Sequence, residues 1–315
     1  MSHEPHEPHQ PHELKHTTLT YLVPLDGSHL AESILPAVEE LAGRCHATVV
    51  LLHVLEARAP ATVHGERHLA NGVEAASYLD EISARLRARG LSVQCHVHLE
   101  READVARSIA AHALELHADL VALCTHGIGG LRDLLLGSIA QQVLQHGTLS
   151  ILLVRPGPGG SAPPFVVQQV LIPLDGTPAH EPAVPVAITI ARLFAVAIHL
   201  VMVIPTLATL SAEQALSGRL LPTTTRAMLD LAAQDAALYL TQVKARCEQE
   251  GVQATTEILR GDAAEEVLAH AQSLDNCLIV MGSHGRAGLR GLLAGSVAKR
   301  ITDKAHSSLL LVRLS

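Results

Sequence analysis

Short apolar runs rich in Leu, Val and Ile alternate along the chain with segments of helical periodicity. In the second half of the chain the predicted strands cover residues 169–174, 197–203, 253–259, 277–281 and 308–313. In the first half they lie near residues 20–25, 47–54, 92–99, 119–124 and 150–155. Continuous apolar strands separated by helices indicate a parallel sheet with helices on both faces and with ligands at the carboxyl ends of its strands.

One predicted helix illustrates the pattern between strands. Its apolar face recurs at i, i+1, i+4 and i+7, and it is made of Val267, Leu268, Ala271 and Leu274. The pair Gly261-Asp262 stands just before this face and is typical of a helix start.

The chain also contains an internal repeat that covers nearly its whole length. The repeated segments are Leu22–Ser28 with Leu171–Thr177, Thr125–Ser138 with Ser283–Ser296, and Ser150–Arg155 with Ser308–Arg313. Two copies of one domain are therefore joined head to tail. We expect a disordered His/Pro-rich tail at residues 1–17, a first domain at 18–155, a Pro/Gly-rich linker at 156–167 and a second domain at 168–315. The predicted fold class is α/β, with two tandem Rossmann-like domains that each hold a five-stranded parallel sheet.

Composition narrows the possible partners. Apolar residues make up 48% of the chain and aromatic residues only 2%, so the core is built from aliphatic side chains. Charged residues are 17% and the formal net charge is −8, which argues against a nucleic-acid binder. The most apolar long run, residues 183–204, contains Pro185, Arg192 and His199, and we interpret it as a helix and a strand of the core rather than a membrane span.

The cysteines and the N-terminus bear on the compartment. Five scattered cysteines without a C-x-x-C pair indicate neither a disulfide framework nor a zinc knuckle. Because the start of the chain also lacks a secretory pattern, we expect a cytoplasmic protein.

The N-terminal tail carries histidines at regular spacing. His3, His6, His9 and His12 alternate with prolines. In a polyproline II conformation their imidazoles lie about 9 Å apart, which is too far to share one ion without bending. A solvated tail is favoured over a Zn, Ni or Cu site, and the sequence assigns no metal ligand.

Two loops with candidate chemistry fall on the same edge of the second predicted sheet. Asp175 ends the first strand of that copy, and the glycine-rich segment 282–296 follows the fourth. Backbone N–H groups of such a loop can surround phosphate oxygens, and Gly295-Ser296 adds a hydroxyl at the start of the last helix. The alternative is that the glycines only form a tight turn and that Asp175 caps a helix.

The spacing G-x2-G-x9-G-S, formed by Gly282, Gly285, Gly295 and Ser296, resembles that of the universal stress protein family. The resemblance covers about residues 18–155 and 168–315. It implies an adenine-nucleotide site for ATP, with or without Mg, in which Asp175 and Val203 contact the nucleoside and the glycine-rich segment holds the ribose and phosphates. The implied set is Asp175, Val203, Met281, Gly282, Ser283, His284, Gly285, Arg286, Gly295, Ser296 and Val297.

The first copy departs from this motif. It keeps Asp26, Val54, Gly127, Gly137 and Ser138, but Cys124 takes the place of the first glycine, Ile128 replaces the arginine, and Arg101 is aligned with Gly261. A side chain at Cys124 would intrude where backbone should approach the ligand. The first copy is therefore expected to bind nucleotide weakly or not at all. A buried structural role for Cys124 is favoured over a redox role.

Three functions remain open at this point. The leading one is a nucleotide-responsive stress-tolerance module with its site in the second domain and with an unidentified protein partner. The others are an interaction scaffold that binds no nucleotide and a slow ATPase. No catalytic residue is assigned, because neither a P-loop nor a general base is recognisable. The resemblance also implies an intramolecular pseudo-dimer through the strands that end at Val154-Arg155 and Val312-Arg313, with a homodimer as a further option.

Overall fold

The computed structural model describes residues 18–69, 71–125, 138–146, 149–210, 220–283 and 297–313. In the first domain the elements are β1 (Thr20–Pro24), α1 (His29–Glu32), α2 (Leu35–Cys45), β2 (Thr48–Glu56), β3 (Thr62–Val63), β4 (Glu66–Arg67), α3 (Gly72–Ala88), β5 (Ser92–Glu102), α4 (Val105–Glu115), β6 (Leu120–Cys124), α5 (Ser138–His146) and β7 (Ser150–Val154). In the second they are β8 (Gln169–Leu174), α6 (Ala183–Phe194), β9 (Ala197–Ile204), α7 (Pro222–Gln249), β10 (Ala254–Arg260), α8 (Ala263–Ser273), β11 (Cys277–Ser283), α9 (Val297–Lys304) and β12 (Ser308–Arg313).

The two domains share one ten-stranded sheet. Its order is β10-β9-β8-β11-β12-β7-β6-β1-β2-β5, so each half has the strand order 3-2-1-4-5 of a doubly wound fold. Pairing is parallel within each half and antiparallel where β12 meets β7. The predicted α/β fold and the predicted pairing of the last strands are both confirmed.

The core continues across the junction on both faces of the sheet. At the junction Leu310 lies opposite Leu152, and both belong to the cluster on one face. Their neighbours Leu153 and Leu309, also opposite each other, belong to the cluster on the other face. Side chains alternate between faces along a strand, so each strand contributes to both clusters. The two domains therefore bury a common core.

The segment between the domains is anchored at its end. Phe165 and Val167 are buried in the core, and the Phe165 ring packs edge-on against Phe194 with 6.2 Å between centroids. The apolar run at 183–204 forms α6 and β9, as predicted. No helix among the described residues is long and apolar enough to cross a membrane.

Candidate functional site

The carboxyl ends of three neighbouring strands meet at one edge of the second half of the sheet. Asp175 follows β8, Val203 lies near the end of β9, and Met281 and Gly282 lie near the end of β11. Strand β8 pairs with β9 over six positions but with β11 over only three, Gln169–Leu171 with Cys277–Ile279. The crevice between β8 and β11 thus opens at the topological switch point, where ligands bind in open α/β sheets.

Asp175 sits in a tight turn that orients its carboxylate. Gly176 follows it with a φ of +78°, a conformation that glycine adopts without steric cost. Oδ1 of Asp175 accepts hydrogen bonds from the backbone N (3.0 Å) and Oγ1 (2.7 Å) of Thr177. Oδ2 accepts from Nδ1 of His180 at 2.7 Å. Partial burial by itself raises the pKa of Asp175, but these hydrogen bonds outweigh it, so the pKa lies below its usual value.

The turn also bears on the alternative that Asp175 only caps a local turn or helix and contacts no ligand. By accepting from Thr177, this carboxylate does act as a local turn acceptor. Its side chain is nonetheless 49% exposed, which leaves it accessible from the crevice. A ligand donor can therefore reach Asp175, in exchange for or in addition to His180.

The glycine-rich segment itself is only partly described. Met281 is buried, Gly282 is buried near the end of β11, and Val297 begins α9 with 42% of its surface exposed. The predicted site residues outside the described part of the chain are His284, Gly285, Arg286, Gly295 and Ser296. Backbone placement alone is described for Ser283, which ends β11.

Arg300 fixes the helix that follows the glycine-rich segment. Its Nη1 donates to Oδ2 of Asp262 at 2.7 Å, and Asp262 caps α8 by accepting from the backbone N atoms of Ala264 and Glu265. The hydrogen bond from Arg300 holds the pKa of Asp262 below its usual value. The contact ties α9 to the start of α8. The N-cap hydrogen bonds of Asp262 confirm the predicted helix start at this residue.

The first half of the sheet has a cavity at the equivalent edge. Its volume is about 390 Å³, and Asp26, Val54 and Cys124 all line it. Of the predicted degenerate site, Ser138 is described only as the start of α5, while Gly127 and Gly137 lie outside the described residues. The structure therefore brings together the described strand-end residues of this copy.

Cys124 occupies the structural position of Gly282. Cys124 pairs with Val154 in β7, just as Gly282 pairs with Val312 in β12. The side chain of Cys124 is buried, and burial raises the pKa of its thiol to about 12. A neutral thiol thus stands at the cavity wall where the second domain has only backbone.

A hairpin that sequence reasoning missed covers the same cavity. Strands β3 and β4 pair antiparallel around His64 and Gly65, which both have positive φ, as a two-residue hairpin turn requires. His64 lines the cavity, and its Nε2 lies 3.7 Å from Oδ2 of Asp26. The two-residue strands are too short for a periodic signal, so only the turn dipeptide could have revealed them.

One predicted alignment is wrong. The sequence predicts that Arg101 is equivalent to Gly261, but Asp104 and Asp262 are the N-caps of the equivalent helices α4 and α8. Ala103 therefore occupies the position of Gly261. Counting from the helix cap rather than from the strand would have given the correct match.

Tandem doubly wound halves, a crevice at the switch point and a strand-end aspartate define a class of α/β proteins that place ligands at the carboxyl edge of the sheet. The model of the universal stress protein family matches residues 20–155 and again residues 167–313. The chain therefore belongs to the universal stress protein family, with two tandem domains of that type.

Individual relatives agree with this assignment. A universal stress protein of Methanocaldococcus jannaschii is 31% identical over 146 residues, which cover 46% of this chain and 82% of the relative. A universal stress protein of Mycolicibacterium smegmatis is 29% identical over 231 residues, which cover 71% of this chain and 70% of the relative.

Solved structures show the same fold. A universal stress protein from Archaeoglobus fulgidus superposes with a TM-score of 0.69 at 14% identity, covering 94% of this chain and 99% of that one. A protein from Pseudomonas aeruginosa PAO1 superposes with a TM-score of 0.65 at 19% identity, covering 95% and 93%. At these identities the likeness concerns the fold alone.

Proposed function

We propose that this protein is a nucleotide-responsive stress-tolerance module that binds ATP or a related adenine nucleotide in its second domain. The observation that carries the proposal is the convergence of Asp175, Val203 and Gly282 on three adjacent strands at the switch point of the sheet. Membership of the universal stress protein family supports the same assignment. The glycine spacing associated with nucleotide binding is complete in this copy.

Each group has a distinct part in such a site. The Asp175 carboxylate accepts hydrogen bonds from ribose or base N–H and O–H groups, while Val203 and Met281 supply apolar contacts to the adenine ring. Gly282, without a side chain, lets ligand approach the end of β11 closely. The glycine-rich segment and Ser296 then hold the phosphates at the start of α9. Mg bound to the phosphates reduces their charge.

The first domain is expected to bind the same ligand weakly or not at all. Cys124 fills the place of Gly282, and His64 lies 3.7 Å from the Asp26 carboxylate that would contact the nucleoside. A nucleotide entering this cavity would have to displace His64 and tolerate the buried thiol. Binding is therefore asymmetric between the two domains, with about one site per chain.

The shared sheet offers a route from the site to the rest of the molecule. Strand β11 carries Gly282 and pairs with β12, which pairs across the junction with β7. We propose that occupancy changes a surface that a protein partner reads, in the cytoplasm. The five cysteines, all within the described residues, form no disulfide, which fits a reducing compartment.

Titration calorimetry tests the proposal directly. ATP with Mg is titrated into the full chain after bound nucleotide has been removed. We expect one site per chain and a roughly 10- to 100-fold weaker affinity in Asp175→Ala, since hydrogen bonds to a charged group are lost. Asp26→Ala is the matched control in the first domain and is expected to leave the affinity unchanged. Gly282→Val, checked for folding by circular dichroism, is expected to abolish binding.

Three results would contradict the proposal. If the nucleotide-free wild type binds no ATP, the interaction scaffold becomes the better account. If Asp26→Ala rather than Asp175→Ala weakens binding, the site lies in the first domain. Fast release of inorganic phosphate during the titration would indicate an enzyme, whereas we expect at most slow hydrolysis.

A further inference from the structure

Three imidazoles meet at the outer edge of the first domain, away from the nucleotide site. His96 and His98 lie on β5, which ends the ten-stranded sheet, and His112 lies on α4. The His112 ring centroid is 4.8 Å from that of His96 and also 4.8 Å from that of His98. One ring nitrogen of each residue lies within 4.8 Å of the others.

The fold explains why these residues meet. Side chains two apart on a strand share a face, so His96 and His98 project to the same side of β5. The opposite face of β5 carries Val93 and Val97 into the core cluster beneath α3. Helix α4 packs on the face that carries the histidines, through Ala106, Ile109 and Ala113, and brings His112 to the edge strand.

Hydrogen bonds to oxygen acceptors fix two of the three rings. The Nδ1 atom of His112 lies 2.8 Å from the carbonyl O of Ser108, which can only accept, so Nδ1 carries the proton and Nε2 the lone pair. The Nε2 atom of His98 likewise donates to Oε1 of Glu102 at 3.1 Å, which leaves the lone pair on Nδ1. Metal-binding histidines are commonly held in this way, by an oxygen acceptor on the other ring nitrogen.

The surroundings of His96 favour its uncharged ring. His112 is buried, and burial together with the neighbouring His112 and His98 lowers the pKa of His96 below its usual value. Neutral imidazole is the form that coordinates a metal ion.

From this juxtaposition we propose that His96, His98 and His112 form a binding site for a divalent transition-metal ion, and that this ion is Zn²⁺. Imidazole nitrogen suits Zn²⁺, and three such ligands leave a fourth position for water or for a nearby carboxylate. Tetrahedral coordination needs nitrogens about 3.3 Å apart, so metal binding would draw the three rings closer than the present separation of up to 4.8 Å. His98 is 20% exposed and gives the ion an entry path. Bound metal would fasten the edge strand to α4.

The second domain provides an internal control. His270 stands at the position of His112, since each follows its N-cap aspartate at the same distance along the helix. In the first half of the sheet Pro24, Leu52 and His96 lie side by side on adjacent strands. In the second half Pro173, Val201 and Glu257 lie side by side in the same way, so Glu257 is equivalent to His96. His270 thus faces Glu257, with Nδ1 3.6 Å from Oε2, where His112 faces His96. The triple-imidazole cluster is a feature of the first domain.

The experiment must separate this site from the N-terminal histidines. We use the full chain with the histidines at positions 3, 6, 9, 12 and 16 replaced by glutamine, and titrate it with Zn²⁺ by calorimetry and with Co²⁺ by visible absorption. We expect one site per chain, with Co²⁺ bands typical of tetrahedral nitrogen ligation. His96→Gln with His98→Gln should abolish this site, whereas His270→Gln should leave it unchanged. Glu102→Ala should weaken Zn²⁺ affinity by roughly 10- to 100-fold, because it removes the acceptor that orients His98.

Two results would refute the metal site, and a folding check separates them from misfolding. His96 and His98 are only partly buried, so the double variant is expected to fold, and circular dichroism with a urea unfolding curve verifies this. If the chain with the substituted tail binds no Zn²⁺, or if the double variant binds as tightly as its parent, the site does not exist. Neither result depends on whether the second domain binds nucleotide.

Discussion

The Sγ atom of Cys124 lies 3.0 Å from Oγ of Ser33, inside the first domain. The Ser33 hydroxyl donates to the carbonyl O of Leu30 at 2.6 Å, so the thiol of Cys124 is the donor in the contact with Ser33. Cys124 therefore serves as a buried hydrogen-bond donor that joins the end of β6 to the C-terminal cap of α1.

This contact predicts the order in which the cysteines react. Burial raises the pKa of Cys124 to about 12, whereas Cys95 is exposed on β5. The thiolate is the reactive species, so a neutral alkylating reagent at neutral pH is expected to modify Cys95 long before Cys124. Mass spectrometry after timed labelling checks the order, with denatured protein as the control in which all five thiols react. Rapid native labelling of Cys124 would favour the redox alternative.

Buried and half-buried histidines predict a loss of stability on mild acidification. Burial lowers the pKa of His53, His96 and His199 below the usual value. Each then binds a proton more readily in the unfolded chain, so its stabilising effect is complete above about pH 6.5 and is lost as the pH falls toward the lowered pKa. We expect the free energy of unfolding, measured with urea in EDTA, to be smaller at about pH 5.5 than at about pH 7.5.

A single variant isolates the contribution of His53 to this pH dependence of stability. His53 is 2% exposed and its Nδ1 lies 2.8 Å from the carbonyl O of Leu25. His53→Gln removes the titrating group and should reduce the difference between the two pH values, whatever it does to absolute stability. An unchanged difference would mean that His53 does not contribute.

The junction between the domains predicts energetic coupling. Leu152 and Leu310 lie opposite each other and are 0% and 4% exposed. Leu152→Ala and Leu310→Ala are each expected to lower the free energy of unfolding by about 2–5 kcal/mol. Because the two side chains lie opposite each other in the same core cluster, the double variant should deviate from additivity by about 0.5–3 kcal/mol. Additive effects, or separate unfolding transitions for the two halves of the wild type, would show that the halves are independent.

The N-cap of α8 predicts a graded loss of stability. Asp262→Ala removes both the cap and one of the two carboxylate partners of Arg300, and is expected to cost about 1 kcal/mol or more. Asp262→Asn keeps an N-cap acceptor but loses the charge, so its cost should be smaller. Asp104→Ala is the matched variant at the cap of α4, where Oδ1 of Asp104 accepts from the backbone N of Arg107. Chemical unfolding ranks the variants, and equal stability of Asp262→Ala and wild type would refute the role of the cap.

Much of the fold follows from sequence because its signals are local. Apart from the edge strands β5 and β10, the strands of the ten-stranded sheet are largely apolar runs. The start of α8 is marked by Asp262 ahead of an apolar helix face. The strand-end position of Asp175 follows from the repeat. These features depend on residues close together in the chain, so pattern and propensity predict them.

What the sequence did not reveal depends on tertiary packing. The approach of His112 to His96 arises only when α4 packs against the edge strand, although alternation of His96 and His98 along a strand was a usable hint. The contact of His64 with Asp26 required a hairpin of two-residue strands. The pairing of Asp175 with His180 is closer in sequence, but it depends on the turn geometry at Gly176.

The antiparallel seam between β7 and β12 lets the two halves diverge. In an assembly of two identical chains, any substitution at the end of the fourth strand would appear twice. Here Cys124 and Gly282 occupy equivalent positions in one chain, so one half can have a cysteine where the other has a glycine. Because both halves belong to one chain, the first half can carry a residue at this position that the second half does not share.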